Sequence, residues 1–286
     1  MANNTTINSD LFQNLLVQSE FALYENSIAR QVTQVYDYPV GAGKVVQIPF
    51  FDSITSSKPG EGVAPSAIDT QTNSKSITLE EHVAYAKVTD FLRDSAEEDV
   101  IANLSAQMGL ALGEGLDTEI VTKFEDATAL SDNGITQQVG AAGSDNTVDQ
   151  LMAAAAKLRA QKYSGPMFAM LHPAQAFGVK KAMTATNSFQ NASDVANSVL
   201  GQFFVGTIAG ITILEHPLVN VDASDDAFGA VFAPSAFGLA QRGGVNLETE
   251  RNAATRSTDV VLTVSAGVGV LRPELIVSVI GDSVAD

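Results

Sequence analysis

Apolar positions recur in two rhythms along this chain, and the places where the rhythm changes divide it into segments. Over residues 9–36, Leu11, Phe12, Leu15, Leu16, Phe21, Leu23, Tyr24 and Ile28 fall in a partly helical pattern that Tyr36, Tyr38 and Pro39 end. So short an amphipathic piece needs a surface to be stable. It is either a first helix on its own core or an arm that grips a neighbouring subunit. Residues 44–51 (KVVQIPFF) are β-rich, and 77–92 carry Val83, Tyr85, Lys87, Thr89 and Phe91 in partial alternation. Between them, 52–76 hold Pro59, Gly60, Gly62 and Pro65 and few large apolar residues. The pattern predicts two long strands joined by a long loop. Such connections are uncommon in compact domains and are usually functional or disordered.

Residues 94–128 predict one long helix. Ser95 and Glu98 match a capping box, and Ile101, Leu104, Met108, Leu112, Leu116, Ile120 and Phe124 follow at spacings of three or four. A step of four advances 400° at 3.6 residues per turn, so the apolar stripe drifts by roughly 40° per step and winds around the helix. Its two ends should pack on different partners, as in a spine crossing between lobes. Gly109, Gly113 and Gly115 each weaken the helix by about 1 kcal/mol relative to Ala, and permit either close approach or a bend. Asp94, Glu97, Glu98 and Asp99 sit where a helix dipole favours acids.

The polar, Gly-containing stretch 129–146 marks the lobe boundary. Beyond it helices and strands alternate. Thr147 and Gln150 match a second capping box that opens an Ala-rich helix through Lys162, stopped by Gly165 and Pro166. Residues 167–171 form a short buried-type strand, and Pro173 suits the first turn of a helix through Met183. Ser193 caps a short helix to Leu200, residues 203–214 hold two strand-like pieces around Gly210, and 228–233 form an apolar strand before a helical start at Pro234. Over 245–286 the chain returns to strands at 260–264, 266–271 and 275–280, interrupted at Arg272–Pro273. Helices mixed with mainly antiparallel strands give an α+β protein, two-lobed.

Composition narrows the function classes. With 286 residues, 45% of them hydrophobic, the chain can bury a sizeable core. Charged residues make up 17%, below the usual share of about 25%, which leaves a more neutral surface suited to burial against other subunits. A net charge of −17, with Lys180–Lys181 the only adjacent basic pair, argues against binding nucleic acid by phosphate neutralisation. There is no cysteine, hence no disulfide and no thiolate metal site. Residues 1–10 are polar and lack a signal-peptide pattern, and no run of about 20 apolar residues is present, so the expectation is a cytoplasmic product with no membrane span.

The search for chemistry assigns no catalytic, cofactor-binding or metal-ligating residue. The three histidines, His82, His172 and His216, are not spaced as helical ligands; His172 and His216 each precede a proline at a strand end and are read as capping or packing groups. Neither Gly113-Glu114-Gly115 nor Gly267-Val268-Gly269 has the lysine or further glycine of a phosphate cradle; the latter pair is read as close strand packing or a bulge. The pairs Glu80–Glu81, Glu97–Glu98 and Asp225–Asp226 diverge from adjacent positions. Asp222, Asp225 and Asp226 lack the full calcium-loop pattern and are read as a solvated turn.

Taken in order, FLRDSAEEDV, then ALGEGLDTEIV with Asp117, then FAMLHPAQAFGVKKAM, then SAGVGVLRPELIVSVIGD resemble the HK97-like major capsid proteins of tailed double-stranded DNA bacteriophages. The resemblance runs from about Asp10 onward. It implies an HK97-like capsid fold, with an N-terminal arm over 1–43, an extended E-loop hairpin over 44–92, and the spine helix with part of the P-domain over 93–146. An A-domain over 147–240 and C-terminal P-domain strands over 241–286 complete it. The implied function is structural: a subunit, not an enzyme, that self-assembles into hexamers and pentamers of an icosahedral head. It would reside in the virion after assembly in the host cytoplasm. Implied partners are copies of itself, a portal and a separate scaffolding protein, with packaged DNA enclosed without sequence-specific binding and no cofactor. No long charged prodomain precedes the arm, so scaffolding is expected as a separate protein, or the sequence as already mature. Lys58 falls at the loop tip, but no partner Asn or Glu aligns with it, so a Lys–Asn crosslink is not implied. The competing readings are an encapsulin-like shell enclosing cargo protein and a hydrolase with an unrecognised carboxylate site.

Overall fold

The computed structural model describes residues 16–20, 22–23, 27–39, 41, 43–51, 56, 58, 61–62, 72–95, 100–124, 134–185 and 207–284. In chain order, α1 (Ile28–Val32) leads into β1 (Gln34–Tyr38), and β2 (Val45–Phe51) and β3 (Thr72–Thr78) form a hairpin. Then β4 (Glu80–Thr89) runs into α2 (Asp90–Ser95), followed by the long helix α3 (Val100–Val121) and β5 (Gln138–Gly140). Next come α4 (Val148–Ala160), β6 (Met167–Leu171), α5 (Pro173–Ala185), β7 (Thr207–Ile208) and β8 (Ile211–Glu215). The chain continues through β9 (Asp226–Phe232), β10 (Phe237–Asn252), β11 (Ser257–Val270) and β12 (Ile276–Asp282).

The lower lobe is a four-stranded sheet ordered β1-β10-β11-β4. Along β11, Val260, Leu262, Val264 and Ala266 are buried while Asp259, Val261, Thr263 and Ser265 stay half-buried, the period-two pattern of a sheet with one covered face. That face packs on α3, whose Met108, Leu112, Leu116 and Ile120 are buried. At the far end Asp90 fastens the tip of the β10–β11 hairpin: its N–H donates to the Arg256 carbonyl at 2.9 Å and its Oδ2 lies 2.7 Å from Arg251 Nη2.

The upper lobe is a six-stranded sheet ordered β5-β12-β9-β6-β8-β7. Every residue of β9 is buried, so the strand is covered on both faces and reads as a continuous apolar run. The cap predicted at Thr147 is present: its N–H donates to Gln150 Oε1 at 3.0 Å, and α4 buries Leu151, Ala154, Ala155 and Leu158. The predicted strand at 167–171 and the helix opening at Pro173 form as expected.

Two polypeptide crossings weld the lobes. Between β9 and β10 lies a 3₁₀ turn, Pro234–Ala236, and between β11 and β12 another, Pro273–Leu275. Proline cannot donate to a ladder, so each ends one sheet and lets the chain enter the other. The turns are tied by Ala233 N–H to the Leu275 carbonyl at 3.2 Å and by Leu271 N–H to the Ala236 carbonyl at 2.8 Å. Beside them Phe124, Phe232 and Phe237 cluster with centroids 5.0 to 5.9 Å apart, joining the end of α3 to β9 and β10.

Four expectations are corrected. The predicted single strand over 77–92 breaks at Leu79, a buried residue whose N–H turns to the Lys44 carbonyl at 2.9 Å. Residues 72–78 pair with β2 and 80–89 with β11, so the hairpin lies within 45–78 and not 44–92. The predicted helix over 94–128 is shorter: α3 ends at Val121, and Lys123 and Phe124 N–H groups bond to Ile120 and Val121 carbonyls, tightening the last turn so that Phe124 enters the aromatic cluster. The capping box expected at Ser95 and Glu98, with the acidic residues Glu97 and Asp99, lies outside the described residues; Ser95 is the last residue of α2. Finally, the strands of 241–286, expected together, divide between the two sheets: 276–282 pair with β9 and β5 in the upper sheet, because the second proline turn carries them across. The helix expected over 193–200 lies outside the described residues.

Truncating Phe124 to Ala should cost about 3–5 kcal/mol, because the cluster it leaves is enclosed by both lobes. A lower denaturant midpoint at unchanged slope is the expected observation.

Candidate functional site: hairpin root and arm junction

Two features of the subunit bear on its function: a two-stranded ribbon and a buried polar junction. One is the β2–β3 ribbon. Its strands pair in register from Val45↔Thr78 to Phe51↔Thr72, and among the described residues neither has another ladder partner. Pro49, which has no N–H to offer, is at home in such an edge strand. A lone two-stranded ribbon is marginal in water, and its open edges can accept further chain. Only its root is anchored, by a small cluster of Val46, Ile77, Leu79, Ala240 and Leu271 separate from the main core. There β3 crosses the glycine-rich stretch of β11. A Cβ at Gly267 would overlap the Thr78 carbonyl, and one at Gly269 would stand 2.6 Å from Ile77 Cγ1. The Gly-Val-Gly segment therefore serves close strand packing. Below the root an open cleft of about 460 Å³ is lined by charges of both signs, Lys75, Glu80, Glu119 and Lys123.

The other feature is the junction of the N-terminal segment with α3. A Cβ at Gly109 would overlap the Ser19 carbonyl and approach Ala22 Cβ to 2.8 Å, and Gly113 faces the Leu23 carbonyl at 3.7 Å. Gly109 is therefore there for close backbone approach, whereas a Cβ at Gly113 would make only an ordinary contact. Leu23, Ser27 and Val32 are buried on the chain's own core. Of the two readings of this segment, packing on the chain's own core is what the described residues of 16–39 show; residues 1–15 lie outside them. Gly115 faces His82 of β4, with 3.1 Å from its would-be Cβ to Nδ1.

At the centre of the junction is Asp117, 3% exposed. Its Oδ1 accepts from Ser27 Oγ at 3.0 Å and its Oδ2 from the Ile28 N–H at 3.2 Å, so a carboxylate from α3 satisfies the first turn of α1. Oδ2 also lies 3.2 Å from His216 Nε2. Because His216 Nδ1 accepts the Leu218 N–H at 3.3 Å, the imidazole proton resides on Nε2 and points at Asp117. Sequence reading noted Asp117 but missed Ser27 and Ile28. The available signal was an acid beside Leu116 on a helix whose stripe is otherwise apolar.

The remaining candidates are structural. His172 caps α5: its Nδ1 accepts the Ala174 N–H at 3.3 Å, while its own N–H donates to Gln175 Oε1 at 3.1 Å. Gln175, fully buried, also donates to the Ala227 carbonyl at 2.8 Å. His172 and His216 end the parallel neighbours β6 and β8, with His216 N–H on the Leu171 carbonyl at 2.9 Å. The turn expected at Asp222 forms, its Oδ1 accepting the Ser224 and Asp226 N–H groups at 2.8 and 2.9 Å. Among the described residues no cluster of three metal-ligating side chains exists. Large apolar groups are exposed at Val83, Tyr85 and Phe91, on and just beyond the edge strand β4, whose outer side has no ladder partner among the described residues.

The comparisons follow this anatomy. The family model described as Phage capsid protein matches residues 72–279. No curated protein matches the sequence. Among solved structures, the capsid of cyanophage P-SCSP1u is similar with a TM-score of 0.69 and 19% identity, covering 90% of this chain and 89% of that one. A structure of Mycobacterium phage Che8 is similar at 0.64 and 22%, covering 83% and 84%. The head of Helicobacter pylori bacteriophage KHP40 is similar at 0.67 and 13%, covering 90% and 92%. These likenesses place the chain in the HK97-like fold class, α+β.

Adding a methyl group as Gly267→Ala should force β3 off β11, costing about 1–3 kcal/mol and exposing the ribbon to limited proteolysis. Burial holds the His172 pKa below its usual value. The unfolded chain thus binds more protons just below about pH 6.5, and stability falls as the pH drops through that value. His172→Asn keeps a cap without titrating, and its melting temperature should depend less on pH between 7.5 and 5.

Proposed function

The chain belongs to the phage capsid protein family, and we propose that its copies close into hexamers and pentamers of an icosahedral head around double-stranded DNA. It is a structural major capsid protein, not an enzyme; it self-associates, and its place is the virion. Membership favours this reading over the encapsulin-like shell and the hydrolase.

The observation that carries the proposal is the ribbon of β2 and β3, rooted on five buried side chains and unpaired at both edges among the described residues. A sibling subunit is the natural source of its missing cover. Contacts of a protruding ribbon with a different surface of the next copy are heterologous, and such contacts close into rings when the rotation between copies closes. Interfaces of obligate size, about 2,000 Å² or more, would be needed for a lasting shell.

In this reading 45–78 is the intersubunit hairpin, α3 the spine, the sheet β1-β10-β11-β4 the peripheral lobe and the sheet around β9 the axial lobe. The net charge of −17 supports enclosure of DNA by confinement, with no phosphate-binding patch. A portal and a separate scaffolding protein would complete the head, assembled in the host cytoplasm.

Deleting residues 54–74 removes the first three residues of β3 with the chain before them and leaves the root at Val46 and Ile77. The expected result is a folded subunit with a near-native melting transition that sediments as small species and forms no particles under the electron microscope. Shells indistinguishable from those of the full chain would overturn the proposal.

A further inference from the structure

The Asp117 carboxylate does more than cap a helix. Its two oxygens receive donors from parts of the molecule far apart in sequence: Ser27 and the Ile28 N–H from the N-terminal segment, and His216 from the upper lobe. Ile28 and His216 converge on the same oxygen, each at 3.2 Å. Ser27, Asp117 and His216 are all buried, so water does not replace a donor that leaves.

His216 is rigidly attached to the upper sheet. Its N–H is on the Leu171 carbonyl at 2.9 Å and its ring is fixed by Leu218 at 3.3 Å. On the other side, Ile28 opens α1, which runs directly into β1 and its parallel ladder with β10. Arg30 Nη1 adds a bond to Gln241 Oε1. Each donor helps to fix the carboxylate's rotamer for the others, so the bonds reinforce one another.

We propose that Asp117 energetically couples the N-terminal segment 27–38 to the upper lobe, so that withdrawal of His216 loosens the segment's hold on the spine. The two states are the segment docked on α3 and β10, and the segment released. Any rotation of the upper lobe against α3 that parts His216 from Asp117 biases the second. The inference concerns the single subunit and stands independently of how subunits assemble.

The test is amide exchange on the full-length protein. His216→Asn keeps an acceptor for the Leu218 N–H and so preserves the turn, yet is too short to reach Asp117. His216→Gln extends a donor toward the Nε2 position. In the Asn variant, amides of 27–38 should exchange about tenfold faster while those of α4 keep their protection, and the Gln variant should return part of the way. Because coupling is reciprocal, Ser27→Ala should raise exchange at the Leu218 amide in the upper lobe, which supplies an independent reading if the His216 variants fold poorly. Unchanged exchange over 27–38 in the Asn variant, or equal loosening of 27–38 and α4, overturns the proposal. So does an unaltered Leu218 amide in Ser27→Ala.

Discussion

One helix must be a wall for three partners at once, and the rest of the subunit follows from how α3 meets that demand. A straight stripe of side chains could face only one neighbour. The four-residue spacing from Leu104 to Phe124 turns the stripe as it rises, so that the lower sheet, the N-terminal segment and the upper lobe each receive part of it. Where apolar packing leaves no room, Gly109 lets the backbone at Ser19 lie against the helix. Where backbone donors would be stranded, Asp117 supplies the acceptor. A buried carboxylate is costly unless fully bonded, and here the donors from both sides satisfy it.

The same economy of close approach governs the hairpin root. Glycines on β11 allow one strand to cross another nearly in contact, so a long extension is carried on a very small anchoring cluster. Little of the ribbon's stability is intrinsic. A lone two-stranded ribbon is marginal in water, which is a poor arrangement for a monomer and consistent with a subunit that self-associates. The exposed apolar groups on and beside β4 belong to the same picture of a surface incomplete in isolation.

The body, by contrast, resists separation into independent halves. Twin proline turns pass two strands from one sheet to the other, and the three phenylalanines fill the seam. The lobes therefore share one continuous core. Against so firm a seam, the softer part is the ribbon, rooted on a small cluster.

Local chemistry was legible in the sequence. The cap at Thr147, the strand at 167–171, the helix opening at Pro173 and the winding stripe of α3 each depend on residues within a turn or two of one another, and sequence records such relations directly. So did the lack of catalytic spacing and the order of motifs that marks the family. Tertiary structure alone decided which strands pair and what the buried polar groups are for. The polar run 72–76 reads locally as loop, yet it pairs with β2, and the break at Leu79 exists because one side completes a ribbon and the other a sheet. Likewise Ser27, Asp117 and His216 lie 90 and 99 residues apart in their bonded pairs. Over such distances the deciding term is the need of every buried donor and acceptor to find a partner, and that is a property of the assembled chain.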